Sequence, residues 1–170
     1  MIVNNQELKW MTYNLNTIIC AGWFDMFHVG HLRFLKEAKK HADNLIVVVM
    51  NDRDGTYIKG NNRPIINQND RAEIINDLKC VDFVNICEHN VNINIPKNRR
   101  ELDDKSILLW DRYISLIEKI KPKKVFSLEE TLRFNGFGDY IKSLGIDVVY
   151  TNRTNDISTT NIENKIRKEY

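Results

Sequence analysis

Two histidines set three residues apart, His28 and His31, mark the part of the chain best equipped for chemistry. They close the segment Gly22-Trp-Phe-Asp-Met-Phe-His-Val-Gly-His31. A short β-branched run precedes this segment and an amphipathic pattern follows, so it reads as a strand-to-helix junction. Gly22 would let the backbone turn tightly at the end of the strand. At the start of a helix, both imidazoles face one side, next to exposed backbone N–H groups and the positive end of the helix dipole. Such a place favours an anion, and imidazole N–H groups add directional donors without burying a permanent charge. The same pair could bind a metal only with further ligands. His41, His89 and the three cysteines stand at no metal-like spacing, so no metal site is read. A purely structural role for the pair is the remaining alternative.

Two other segments offer groups for phosphate. Lys59 stands in a loop flanked by Gly55 and Gly60, where a lone lysine would ordinarily be a solvated surface charge. Ser158, Thr159 and Thr160 open a helix, where hydroxyls cap orphan amides. Capping alone would not need Arg153 nearby, whose planar fork suits phosphate oxygens. Hydroxyls, amides and a guanidinium together make a second cradle for phosphate.

Three motifs in order resemble one family. Gly22-x-Phe24-Asp25-x-x-His28-x-Gly30-His31 is similar to the signature of the cytidylyltransferase-like nucleotidyltransferases. These include enzymes acting on glycerol 3-phosphate, phosphocholine and phosphoethanolamine, and adenylyltransferases acting on heptose phosphate, FMN and phosphopantetheine. Tyr57-Ile-Lys-Gly60, then Arg71-Ala-Glu-Ile-Ile75 and Lys79-Cys-Val-Asp-Phe-Val84, looks like the family's Lys-Gly loop, helix arginine and following strand. Arg153-Thr-Asn-Asp-Ile-Ser-Thr-Thr160 resembles its Arg-Thr-x-Gly-Ile-Ser-Thr-Thr motif. The resemblance runs from about Thr17 to the C-terminus. It implies a nucleotidyltransferase domain over residues 17–170, with residues 1–16 as an N-terminal arm.

By that resemblance, the nucleotide lies against Gly22, Trp23, Phe24, His28, His31, Arg71, Arg153, Ile157, Ser158 and Thr159. His28, His31 and Lys59 are catalytic. Asp25 and Lys59 meet the acceptor, with Asp25 also a candidate to orient the loop or help hold a metal ion. Mg²⁺ is expected with the nucleotide, held mostly by phosphates and water. The partners are a nucleoside triphosphate and a small phosphorylated alcohol, and a homodimer is expected. Arg153-Thr154 before Ile-Ser-Thr-Thr favours CTP as donor, whereas Arg63-Pro-Ile-Ile-Asn67 looks more like the adenylyl members acting on heptose phosphate or FMN. A nucleotide-binding module without turnover is the reading from a different class. The sequence departs from the family at Trp23, where the residue is usually small or Tyr. It departs again at Asp156, which replaces a Gly, and at Phe126-Ser-Leu-Glu-Glu130, which replaces a Gly-Asp-Asp-like element.

The elements that must position these residues follow from periodicity. Strands are expected at Thr17–Ala21, Leu45–Met50, Val81–Ile86, Lys124–Leu128 and Asp147–Thr151, and helices at Val29–His41, Asp70–Lys79, Asp103–Lys121, Leu132–Leu144 and from Ser158 onward. Asn51–Asn67 reads as a long polar loop and His89–Asp103 as irregular. Met1–Asn16 reads as an arm packed through Trp10, Met11 and Tyr13. Alternating strands and helices with unbroken Val/Ile runs predict an α/β fold: a Rossmann-like, doubly wound, parallel five-stranded sheet with helices on both faces. Composition agrees: 170 residues, 42% hydrophobic and 28% charged, are enough for a full core. A net charge of +2 does not predict a nucleic-acid binder. No apolar run reaches the roughly 20 residues of a membrane span. The N-terminus lacks the basic-then-apolar layout of a signal peptide. An odd count of Cys20, Cys80 and Cys87 reads as free thiols in a reducing compartment. The expectation is a soluble, cytoplasmic protein.

Overall fold

Side chains along the central strands alternate between two apolar layers, as the strand repeat of two requires. Ile19, Ile46, Val48 and Val125 join one core; Ile18, Cys20, Leu45, Val47 and Val49 join the other. The structure, a computed structural model, describes residues 1–87, 104–132, 137–153 and 157–169, without the side chains of residues 104–111, 132 and 169. The strands are β1 (Thr17–Gly22), β2 (Asn44–Val49), β3 (Phe83–Ile86), β4 (Lys124–Leu128) and β5 (Asp147–Thr151). They form a five-stranded sheet in the order β3-β2-β1-β4-β5, and every pairing is parallel. β1 runs in register with β2 from Thr17 opposite Asn44 to Gly22 opposite Val49. The order reverses direction between β1 and β4, which makes the carboxyl ends of those strands the place for a ligand.

The helices are α1 (Asn5–Asn14), α2 (Val29–Lys39), α3 (Asp52–Lys59), α4 (Gln68–Asn76), α5 (Asp104–Ile120), α6 (Glu129–Leu132), α7 (Phe137–Ser143) and α8 (Thr159–Glu169). Leu35 and Ala38 of α2 and Ala72 and Ile75 of α4 fill the core on one face. Leu8 and Met11 of α1, Ile114 and Ile117 of α5 and Ile141 of α7 fill the other. Both faces of the sheet are covered, as expected. Burying each such aliphatic side chain is worth about 1.5–3 kcal/mol. Cys20, Cys80 and Cys87 are free thiols.

Several expectations change. The arm contains a helix, because Asn4 and Glu7 form a capping box: Asn4 Oδ1 accepts from the amides of Gln6 and Glu7, and Glu7 Oε2 accepts from the Asn4 amide at 2.8 Å. It packs through Val3, Leu8 and Met11, while Trp10 and Tyr13 stay exposed. Thr12 Oγ1 donates to the Ile120 carbonyl at 2.6 Å, and Val3 N donates to Val84 O at 2.8 Å, tying the segment to α5 and β3. Asn51–Asn67 is not all loop: Asn51 caps α3, which runs to Lys59. Of the helix expected over Leu132–Leu144, Leu132 belongs to α6 and Phe137–Ser143 form α7, while residues 133–136 lie outside the described residues. Ile74 of α4 is exposed, while Ala72 and Ile75 are buried. The segment from His89 to Asp103, with Gly136 and Thr154–Asp156, lies outside the described residues.

Candidate active site

The turn that leaves β1 is unusual in backbone as well as in composition. Phe24 and Met26 adopt φ of 54° and 48°, the left-handed region that costs an L-residue roughly 1–2 kcal/mol. Gly22 is not in that region, so the expected reason for it, conformational freedom, is replaced by space. A Cβ there would lie 3.0 Å from the Phe24 ring. The strained turn is held from below by Asp25, which is only 3% exposed. Its carboxylate accepts from the amides of Ile65 and Ile66 and, at 2.8 Å, from Arg63 Nη1. Burial would raise the Asp25 pKa, but those amides and the guanidinium outweigh it and hold it below the ordinary carboxylate value.

His28 is the N-cap of α2, and its Nδ1 accepts from the Gly30 amide at 3.1 Å. In the neutral ring that acceptor leaves the proton on Nε2. His31, one turn on, stacks on His28 with ring centroids 3.8 Å apart and planes 20° from parallel. Gly30 makes this possible: a Cβ would meet His28 Cε1 at 2.9 Å and Ile157 Cγ2 at 3.2 Å. Phe24 and Phe27 flank His31 with centroids at 5.4 and 5.6 Å. Burial, then the neighbouring His28, Lys59 and Arg153, push the His31 pKa down to about 4, against a smaller opposing pull from Asp25. Burial and Arg153 also lower that of His28. Both rings are therefore neutral near pH 7. His31 Nδ1 is buried with no hydrogen-bond partner among the described residues.

Lys59 closes α3, with Gly60 at φ 103° ending the helix. The expected flexible loop is thus a helix terminus. Its ammonium lies 4.4 Å from the Trp23 ring centroid. Burial first, then Arg63, lower the Lys59 pKa, with Asp25 opposing. Arg153 is exposed, its Nε 2.6 Å from Glu130 Oε1. Ser158 accepts from the Asn161 amide at 3.1 Å, so helix capping is realised. Thr159 Oγ1 donates to the Asp25 carbonyl at 3.0 Å, joining α8 to the β1–α2 turn. One cleft of about 570 Å³ collects Gly22, Trp23, Phe24, Asp25, His28, His31, Lys59, Arg153, Ile157, Ser158 and Thr159 from these distant segments. Two stacked neutral donors, two cations and a helix start facing one space suit a polyphosphate.

Arg71 is the exception among the expected nucleotide-binding residues. It does not line the cleft. Its guanidinium is buried, donating to the carbonyls of Ile66, Trp23 and Met50 and pairing with Asp52 at 2.5 Å. It positions the turn and α3 from beneath. Asp25 lines the cleft, and its carboxylate is engaged by residues 63–66. Sequence reasoning missed Arg63, which bridges Asp25 at 2.8 Å and Glu163 of α8 at 2.6 Å. Its signal was the Arg-Pro step between the Lys-Gly element and the Arg71 helix.

Residues 19–165 match the family model described as cytidylyltransferase-like. The chain belongs to the cytidylyltransferase-like family. It is 30% identical over 154 residues to the bifunctional protein HldE of Geobacter metallireducens, covering 90% of this chain and 27% of that one. It is 45% identical over 73 residues to an FAD synthase of Thermococcus sibiricus, covering 43% and 49%. This family member thus spans about a quarter of the length of the bifunctional relatives it matches. A crystal structure of a lipopolysaccharide core biosynthesis protein from Thermoplasma volcanium aligns with TM-score 0.54 at 25% identity, covering 83% and 98%. Pantothenate synthetase from Thermus thermophilus aligns with TM-score 0.68 at 12% identity, covering 99% and 70%, a likeness of fold. These likenesses agree with the parallel α/β fold of the cytidylyltransferase-like chain. Among the described residues, no group of three His, Cys, Asp or Glu could hold a metal ion, and no helix is long and apolar enough to cross a membrane.

Proposed function

We propose that the protein transfers the nucleotidyl group of ATP to a small phosphorylated acceptor, a sugar phosphate or an FMN-like molecule, and releases pyrophosphate. The observation that carries this reading is the stacked His28–His31 pair at the start of α2, sharing one cleft with Lys59 and Arg153. An acceptor phosphate oxygen attacks the α-phosphorus, the bond from that phosphorus to the bridging oxygen breaks, and pyrophosphate leaves with the electron pair. No protein nucleophile is needed, so the work falls to positioning and charge stabilisation. His28 Nε2–H and His31 donate to the α-phosphate oxygens as charge gathers there. Lys59, Arg153 and the start of α8 hold the triphosphate and the departing pyrophosphate.

The described residues do not form a protein-held Mg²⁺ site. Asp25 is engaged by Arg63 and two amides, and Glu130 and Glu163 pair with arginines. Mg²⁺ bound to the nucleotide's own phosphates would neutralise their charge. ATP is preferred over the CTP expected from Arg153-Thr154 because the relatives named FAD synthase and HldE agree with the adenylyl-like Arg63-Pro64 element. CTP remains the second reading, favoured by the likeness of Arg153–Thr160 to the cytidylyl motif. Pyrophosphate release with ATP or CTP across a panel of sugar phosphates, polyol phosphates and FMN tests the proposal. Release with ATP and one acceptor class is expected. Release with CTP alone reverses the donor choice, and nucleotide binding with no release indicates a binding module. A homodimer remains part of the proposal, and light scattering would test it.

A further inference from the structure

The cleft keeps a lysine charge in place without a carboxylate to hold it. Among the described residues, Lys59 makes no ion pair. A lysine side chain left free carries up to about 2 kcal/mol of rotamer entropy that a fixed contact would have to overcome. Its ammonium instead stands 4.4 Å from the Trp23 centroid, within the range of a cation–π contact. The indole is itself built into place. The Trp23 carbonyl accepts from Arg71 Nη1, and a Cβ on Gly55 would lie 2.6 Å from Trp23 Nε1 and 2.8 Å from Pro64 Cδ. Gly55 therefore lets α3 approach the edge of the indole. Lys59 stands four residues further along the same helix, on the same face. One helix face thus meets one ring twice, first with a glycine that makes room and then with a cation.

We propose that Trp23 is a positioning residue that seats the Lys59 ammonium on its indole face, inside the cleft where the phosphates of a nucleotide meet it. This rests on the reaction proposed above and adds a residue at which this chain departs from its family's small residue or Tyr. Trp23 acts through Lys59 and touches no reacting atom. The groups whose charge acts on Lys59 or on which it acts are Arg63, Asp25, Arg71 and Arg153, with His31 beside it.

Side-chain NMR on the full chain tests the contact without turnover. Protons on Lys59 Cε above the indole face are expected upfield of free lysine. That resonance should vanish in Lys59→Met and move to the free-lysine position in Trp23→Leu. In the pyrophosphate assay, Trp23→Leu should lower kcat roughly 2- to 30-fold, the span of a cation–π contact. Trp23→Phe, a milder change, should fall between and keeps the test open if Trp23→Leu does not fold. In a Lys59→Met background, Trp23→Leu should cost nothing further. A free-lysine shift in the wild type overturns the proposal, as do additive losses in the double variant or a rise in kcat for Trp23→Leu. A wild type with the upfield shift but no turnover on any nucleotide overturns the reaction proposed above and leaves the seat in place.

Discussion

Asp25 and His31 stand on the same turn and the helix it opens, yet their surroundings differ in kind. Asp25 accepts from two amides and a guanidinium, and nearby Arg71 donates to three carbonyls and a carboxylate. On the other side of the turn, His31 Nδ1 has no hydrogen-bond partner among the described residues, and Lys59 rests on a ring rather than an acid. Below the turn, charge is matched by buried partners; above it, the two imidazoles and the Lys59 ammonium line the open cleft. A charged residue beside a functional motif can therefore belong to either side, and its partners distinguish the two better than its type.

Breaking the lower side should cost stability most. Arg71→Met removes the donor to three carbonyls and to one oxygen of Asp52, and about 3–5 kcal/mol should be lost in urea unfolding. The folded fraction should keep near-normal turnover. A higher KM for nucleotide at unchanged stability would return Arg71 to the cleft. Breaking the upper side should do the reverse: His31→Ala should lower kcat by about 10²–10³ while circular dichroism shows an intact fold.

Acid should sharpen the contrast. The folded His31 pKa of about 4 lies below the unfolded value near 6.5, so the unfolded chain takes up the proton first. The stabilising contribution is whole above pH 6.5 and is lost as pH falls towards 4, by about 3 kcal/mol at most. Unfolding curves at pH 7 and 4.5 should show this drop, reduced in His31→Phe. The smallest effect is expected at the link between α8 and the turn. Glu163→Gln should cost about 1 kcal/mol and speed amide exchange at Ile65 and Ile66.

The sheet was legible because its strands are unbroken Val/Ile runs separated by amphipathic helices, and so was the gathering of His28, His31, Lys59, Arg153 and the start of α8. Less could be read where a residue's role depends on what surrounds it. Arg71 and Asp25 sit in motifs that point to ligands, but only packing shows that residues 63–66 and the carbonyls beneath the turn engage them. Gly22 read as a residue for a tight turn, whereas the Phe24 ring occupies the volume a Cβ would need there, as the His28 ring does at Gly30. The helix in the arm was signalled by Asn4 and Glu7 at capping-box spacing, a pattern present in the sequence and overlooked because the apolar period there is weak.

The central claim is that bond cleavage falls at the α-phosphorus, under the two neutral imidazoles. Incubation with ATP labelled at the α-phosphate, together with the acceptor that releases pyrophosphate, tests this directly. The label should pass into the acceptor product with unlabelled pyrophosphate released, and the transfer should collapse in His31→Ala. Label retained in ADP, with the γ-phosphate moved to the acceptor, would contradict the account.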